Sequence, residues 1–247
     1  NHKKAIACYD KAIKIDPKYD DVWNAKGFAY EKLKNYKKSV ECYDKATKID
    51  PKSERDWFRK GFVYEKLKNY KKSVTCYDNV TQIDPKDGNA WNNKGFAYEK
   101  LKNYKKAIEC YDKATKLNPK HDNAWNNKGN LYKNLKNHKK AIACYDKAIK
   151  IDPKRENAWY NKGYSYSELK NYKKSIFCYD KATKMDPKDV DAWSNKAIAH
   201  SELKNYKKSI FCYDKATKID PRDNNSWFNK GWTYNQMGNY KEAITCF

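Results

Sequence analysis

A chain of 247 residues with a net charge of +23, 39% hydrophobic and 15% aromatic residues has the apolar content for a packed core. Its mean hydropathy of −1.19 therefore reports a charged surface and excludes wholesale disorder. No run of 18 apolar residues occurs, which excludes a membrane-spanning helix.

One period organises the rest. Tryptophan stands at 23, 57, 91, 125, 159, 193 and 227 and proline at 17, 51, 85, 119, 153, 187 and 221, each 34 residues after the last. A fixed period of this length signals an all-α solenoid, in which each unit buries its apolar face only against its neighbours. In chain order, residues 1–19 read as the second helix of a truncated repeat, 20–223 as six whole repeats and 224–247 as a partial seventh, all in a single array. The chain thus reads as a fragment. Ile6, Tyr9, Ile244 and Phe247 at its uncapped ends are expected to be half covered or to enter a self-association contact.

Within the copy at 89–119, Trp91, Gly95, Tyr98 and Leu101 fall on one helical stripe, a first helix. Tyr104, Ala107, Ile108, Tyr111, Ala114 and Leu117 resume helical spacing in a new phase after Lys102-Asn103, a tight turn into a second helix. Asn118-Pro119 ends it, because the residue before proline is pushed out of the α region. Ser53, Asp87, Asp189 and Asp223 are placed to cap the first helices that follow. Mid-helix glycines, such as Gly27, Gly61, Gly95 and Gly129, are expected to face the small residue of the second helix, such as Ser39 or Ala107, so that small meets small. The eight cysteines recur once per repeat, at 8, 42, 76, 110, 144, 178, 212 and 246. Helix layers packed about 8–10 Å apart hold such equivalents beyond the roughly 7 Å that a disulfide spans, so free thiols and a reducing, cytoplasmic compartment are expected.

The recurring pattern, W-x-x-K-G-x-x-Y followed by Ala or Ser, then Tyr, Ala and Pro, resembles the tetratricopeptide repeat (TPR) over the whole chain. The resemblance implies antiparallel helix pairs stacked into a right-handed superhelix, first helices lining a concave groove and second helices on the convex side. Lys26, Lys60, Lys94, Lys128, Lys162, Lys196 and Lys230 stand where the family usually has an aliphatic residue, and their amines are expected to snorkel outward. Ala197 replaces the glycine, and His200 and His138 replace a first-helix and a second-helix tyrosine.

Function is expected on the remaining first-helix face. Asn93, Asn127, Asn161, Asn195 and Asn229 each lie two residues after the Trp, forming a row of amides able to donate to and accept from the backbone of an extended peptide. The resemblance favours that reading, since several peptide-binding arrays of the family carry an asparagine row here. Phe96, Asn130, Tyr164 and Trp232, with Ile198 among them, lie one turn along, and Tyr160 and Phe228 sit beside them as candidate anchors. Arg55 and Arg59 add a basic point able to hold an acidic side chain or a terminal carboxylate, or else pair with Glu54 or Glu31. The family's carboxylate-clamp pattern is not met, and Asp191 has the wrong sign for it. The sequence thus reads as a protein-interaction scaffold for a protein or peptide ligand. The alternative is an electrostatic binder of RNA or an acidic protein through Lys37, Lys38, Lys45, Lys48 and their copies, although only four of the 54 basic residues are arginine, the better reader of phosphate. The four histidines form no metal-ligand or nucleophile–base spacing and the glycines form no phosphate loop, so no enzyme, cofactor or metal is expected.

Overall fold

The structure, a computed structural model, describes residues 2–246. Among these, the chain forms α1 (His2–Ile15), α2 (Asp20–Lys32), α3 (Tyr36–Ile49), α4 (Glu54–Lys66), α5 (Tyr70–Ile83), α6 (Gly88–Lys100), α7 (Tyr104–Leu117), α8 (Asp122–Asn134), α9 (His138–Ile151), α10 (Glu156–Glu168), α11 (Tyr172–Met185), α12 (Val190–Glu202), α13 (Tyr206–Ile219), α14 (Asn224–Gln236) and α15 (Tyr240–Ile244), with no strand among the described residues. This is an all-α fold of helix-turn-helix repeats, even-numbered helices being the first of each pair. Two compact units divide it, one ending at Ala124 and one beginning at Trp125. In the first unit α1 to α7, and in the second α9 to α15, each pack on the next in sequence, the arrangement a solenoid needs.

The helix ends follow from a few polar residues. Ser53, Asp87, Asp189 and Asp223 accept from backbone N–H groups at the starts of α4, α6, α12 and α14, as expected from the sequence. A second set of caps went unread: Asn35, Asn69, Asn103, Asn137 and Asn171 cap the second helices, accepting from the N–H three residues on. The turn before each is a Schellman motif; in the first copy the Asn35 N–H bonds the Tyr30 carbonyl and the Lys34 N–H that of Glu31. Its left-handed residue is lysine at six turns (Lys34, Lys68, Lys102, Lys136, Lys170, Lys204, φ 56 to 60°) and glycine only at Gly238. Leu101 caps α6 at this turn, half-buried like Trp91 and Tyr98 of the same stripe.

Inside each repeat the core is a tyrosine. Tyr43, Tyr77 and Tyr111 in the first unit and Tyr145, Tyr179 and Tyr213 in the second are at most 1% exposed. The glycines exist for them, which corrects the expectation that small meets small. A Cβ on Gly95 would come within 2.9 Å of the Tyr111 ring and one on Gly129 within 2.6 Å of Tyr145. The small second-helix residue lies beside this contact and at two serines ties the two helices, Ser39 Oγ donating to the Gly27 carbonyl and Ser175 Oγ to that of Gly163, both at 2.8 Å, whereas the Ser73 and Ser209 hydroxyls are buried without such a bond.

The repeat-to-repeat lysine is also corrected. Lys60 and Lys94 do not reach for solvent; their amines meet Asp44 and Asp78 of the preceding second helix at 2.8 and 2.6 Å, and Lys162, Lys196 and Lys230 meet Asp146, Asp180 and Asp214 likewise. Each also lies over the tryptophan three residues before it, as Lys94 does over Trp91 at 4.3 Å. The tryptophans are half-buried, and the indole N–H donates to the proline carbonyl six residues back, as Trp91 does to Pro85 at 2.9 Å. All eight cysteines are free, Cys42 through Cys212 are buried, and burial pushes the Cys42 thiol up to about 11 and Cys76 to about 12. At the ends, Ile6 is buried, Tyr9 is half-buried and Ile244 is 74% exposed; Phe247 lies outside the described residues.

Candidate functional site

Positions one, five and eight residues after each tryptophan share a helical face with the asparagine two after it. In the first unit this face is largely occupied by its own side chains. Lys32, Lys66 and Lys100 lie over Phe28, Phe62 and Phe96 at 4.9, 4.7 and 5.0 Å. The hydroxyl of Tyr43 donates to Glu31 at 3.4 Å and that of Tyr111 to Glu99 at 3.1 Å. Between them, the Glu65 carboxylate and the Tyr77 hydroxyl are both buried and interact without closing a hydrogen bond of ordinary geometry, and burial pushes the Glu65 carboxyl up to about 7. Asn93 accepts from Asn92 at 3.0 Å.

Arg55 and Arg59 are engaged too. Arg55 contacts Asp21 at 2.6 Å, Asp56 at 3.3 Å and Asp20 at 3.8 Å. Arg59 lies over Phe28 at 4.8 Å and 3.8 Å from Glu31. They border a cleft of about 520 Å³ that also holds Glu54, Asp84, Asp87 and Lys86, so three carboxylates balance three cations there and an anion gains little. Asp56 occupies the position before the Trp where the neighbouring copies have Val22 and Ala90; it is fully buried and accepts from Asn24.

The second unit differs. Asn161 accepts from Lys133 at 2.7 Å and donates to Asn130 at 3.3 Å, while Asn130 accepts from the core Tyr145 at 2.9 Å. Burial lowers the Lys133 ammonium from its ordinary value. Asn195 donates to the Tyr160 hydroxyl at 3.0 Å and to the Asp191 carbonyl at 2.9 Å. Asn127 lies half-buried on α8, and Tyr164 half-buried on α10 under the Lys133 ammonium at 5.7 Å. Phe228, Asn229 and Trp232 of α14 meet Ile198, Ser201 and Glu202 of α12 around a cleft of about 250 Å³ above Tyr213. Phe228 is 59% and Trp232 45% exposed, against half-buried Phe96 and Tyr164. Lys133, Ser201 and Glu202 were not singled out from the sequence, although their phase with the Trp put them on this face.

Models described as tetratricopeptide repeat match residues 21–53, 55–87, 88–121, 123–155, 156–189, 190–223 and 212–245, and one described as TPR repeat matches 1–34. The chain belongs to the tetratricopeptide repeat family. As a TPR array it is a protein-interaction scaffold and not an enzyme. No curated protein matches it significantly. Similar solved structures include YrrB, described as a TPR protein with an unusual peptide-binding site (TM-score 0.66, 18% identity, 77% of this chain and 98% of that one). Another is the Cut9–Hcn1 hetero-tetramer of APC/C (TM-score 0.67, 16% identity, 99% of this chain), of whose matched chain this one spans only 46%. MamA is a third (TM-score 0.63, 20% identity, 69% of this chain and 93% of that one). These likenesses carry the TPR fold. Among the described residues no helix of the array is long and apolar enough to cross a membrane.

Proposed function

We propose that the first-helix face of this array binds an extended peptide, with the asparagine row reading its backbone and Tyr160, Tyr164, Phe228 and Trp232 anchoring its side chains. One observation carries the reading: in the second unit the row amides are held by neighbours and still have capacity to bond. Asn161 uses one donor and one acceptor, and Asn195 uses its two donors and keeps its carbonyl oxygen. Groups already oriented lose little freedom on binding, so their bonds to a ligand are worth more. The peptide-binding site ascribed to YrrB makes a peptide the first ligand class to try.

The test is calorimetric titration with a peptide selected on the wild-type array, at fixed ionic strength. Asn161→Ala with Asn195→Ala should weaken it at least tenfold, while charge reversal at Lys37 and Lys45 leaves it unchanged. Retained affinity in the double variant overturns the groove. Binding that instead falls steeply with salt and vanishes on charge reversal assigns the partner to the lysine-rich second helices, the counterion-release behaviour of an acidic partner or RNA.

A further inference from the structure

We infer that the cleft between α12 and α14 takes a basic side chain, lysine or arginine, of the bound peptide. The proposal rests on the peptide reading above and names what the ligand must carry.

Two features argue for a cation. The aromatic five residues after the Trp is met by an ammonium of the chain itself at Phe28, Phe62, Phe96 and Tyr164, three times from the lysine four residues on. At Trp232 that position is Gln236, and among the described residues no ammonium lies over the ring. Its indole face is nevertheless 45% exposed beside Phe228, a geometry suited to cation–π contact. Across the cleft stands Glu202, exposed, in contact with the Tyr172 hydroxyl and without an ion pair among the described residues. Beside it the Ser201 oxygen is buried without a hydrogen-bond partner. An apolar side chain seated here would strip water from Glu202 and leave Ser201 unsatisfied, whereas a guanidinium or ammonium meets the ring, the carboxylate and the hydroxyl together.

Charge on the surrounding face agrees, against the sign of the whole molecule. The chain carries +23, yet α10 and α12 present Glu168, Asp191 and Glu202, and their only lysines, Lys162 and Lys196, are held by Asp146 and Asp180 at 2.6 and 2.7 Å. The excess of lysine sits on the second helices. The first-helix face of α10 and α12 therefore attracts a basic segment that the lysine-rich second helices repel.

The experiment uses three end-blocked probes of sequence GSGSXSGSG, with X arginine, its neutral isostere citrulline, or norleucine, titrated into the full chain. Heteronuclear NMR follows the Trp232 indole N–H and the side-chain amides of Asn161, Asn195 and Asn229. The arginine probe should shift the Trp232 indole and bind about five- to tenfold tighter than the other two, a ratio in the range of a partly desolvated cation–π contact. Glu202→Gln, at an exposed position where folding is unaffected, should abolish most of that preference. Trp232→Leu, followed through the Asn229 amide, should do the same. Equal binding of arginine and citrulline, or a preference that survives Glu202→Gln, overturns the cation site. Shifts at Asn161 and Asn195 with none at Trp232 overturn it while keeping the groove; shifts at Trp232 alone keep the cation site and overturn the groove.

Discussion

Eight residues beyond the marker tryptophan the two units part company. In the first, Glu31, Glu65 and Glu99 stand over the core tyrosines; in the second the same place holds Lys133, Ser167 and Ser201. The tyrosine beneath is equally buried in both. The scaffold thus tolerates an acid, a base or a small hydroxyl above one invariant ring, and that choice decides what the face offers. The first unit covers its aromatics and core tyrosines with Glu–Tyr contacts and Lys–Phe stacks. In the second, serine leaves room, and exposed Phe228 and Trp232 line a cleft.

The largest test of this contrast is pH. The folded chain holds the Glu65 carboxyl at about 7, above its ordinary 4.5, so native protein binds that proton more tightly than unfolded protein. The stability from this group is full below about pH 4.5 and is lost as pH rises to about 7, on the order of 3 kcal/mol in all. Glu65→Gln should remove that slope and be the more stable form at pH 8, as read by urea unfolding at several pH values; an unchanged slope would mean the carboxylate is hydrated.

Next comes the ring. Gly129→Ala in the second unit should cost about 2 kcal/mol by forcing Tyr145 to move, and Gly95→Ala in the first somewhat less, following their approaches of 2.6 and 2.9 Å. Ala197 shows that one repeat has already accommodated a Cβ over Tyr213, so Ala197→Gly should lose about 1 kcal/mol of helix propensity. A stabilising Ala197→Gly in thermal unfolding would mean that this repeat, too, is strained.

Moving the first unit's chemistry into the second sharpens the comparison. Ser167→Glu would give Tyr179, whose hydroxyl is buried without a bond of ordinary geometry, the partner Tyr111 has in Glu99. Urea unfolding should then show the variant more stable by about 1 kcal/mol at neutral pH, the worth of a hydrogen bond to the buried hydroxyl, and no gain would mean the new side chain turns outward. The smallest effect should be common to both units: Lys102→Gly and Lys170→Gly relieve a left-handed lysine at equivalent turns and should each stabilise by about 1 kcal/mol or less in hydrogen-exchange protection of the adjoining helix.

Much of the fold was legible because a 34-residue period repeats every signal. Tyr104 and Leu117 bounded α7 as read, and the Asp caps were where helix chemistry asks for them. Pairings across helices were not legible in the same way. Lys94 is a departure from an aliphatic pattern until Asp78 is seen to meet it, and nothing in a linear spacing of 16 residues says that those two side chains touch. Gly95 likewise advertised close approach without saying to what; the answer was the Tyr111 ring. For the site, the row of asparagines and the aromatics could be named by phase, whereas Arg55 and Arg59 read either as a basic point or as partners of Glu54 or Glu31, and the structure chose pairing, Arg59 with Glu31 and Arg55 with the unforeseen Asp21.

By itself the sequence determined the repeat, the helix pairs, the free cysteines and the family, because each depends on local spacing that recurs copy after copy. Tertiary structure decided which charges cancel and which remain. Ion pairs such as Lys94–Asp78 and contacts such as that of Glu65 with Tyr77 form between helices, at distances that periodicity does not encode. Spacing alone already sets Phe96, with Lys100 four residues on, apart from Trp232, with Gln236 there, but only the tertiary structure places Trp232 opposite Glu202 across an open cleft.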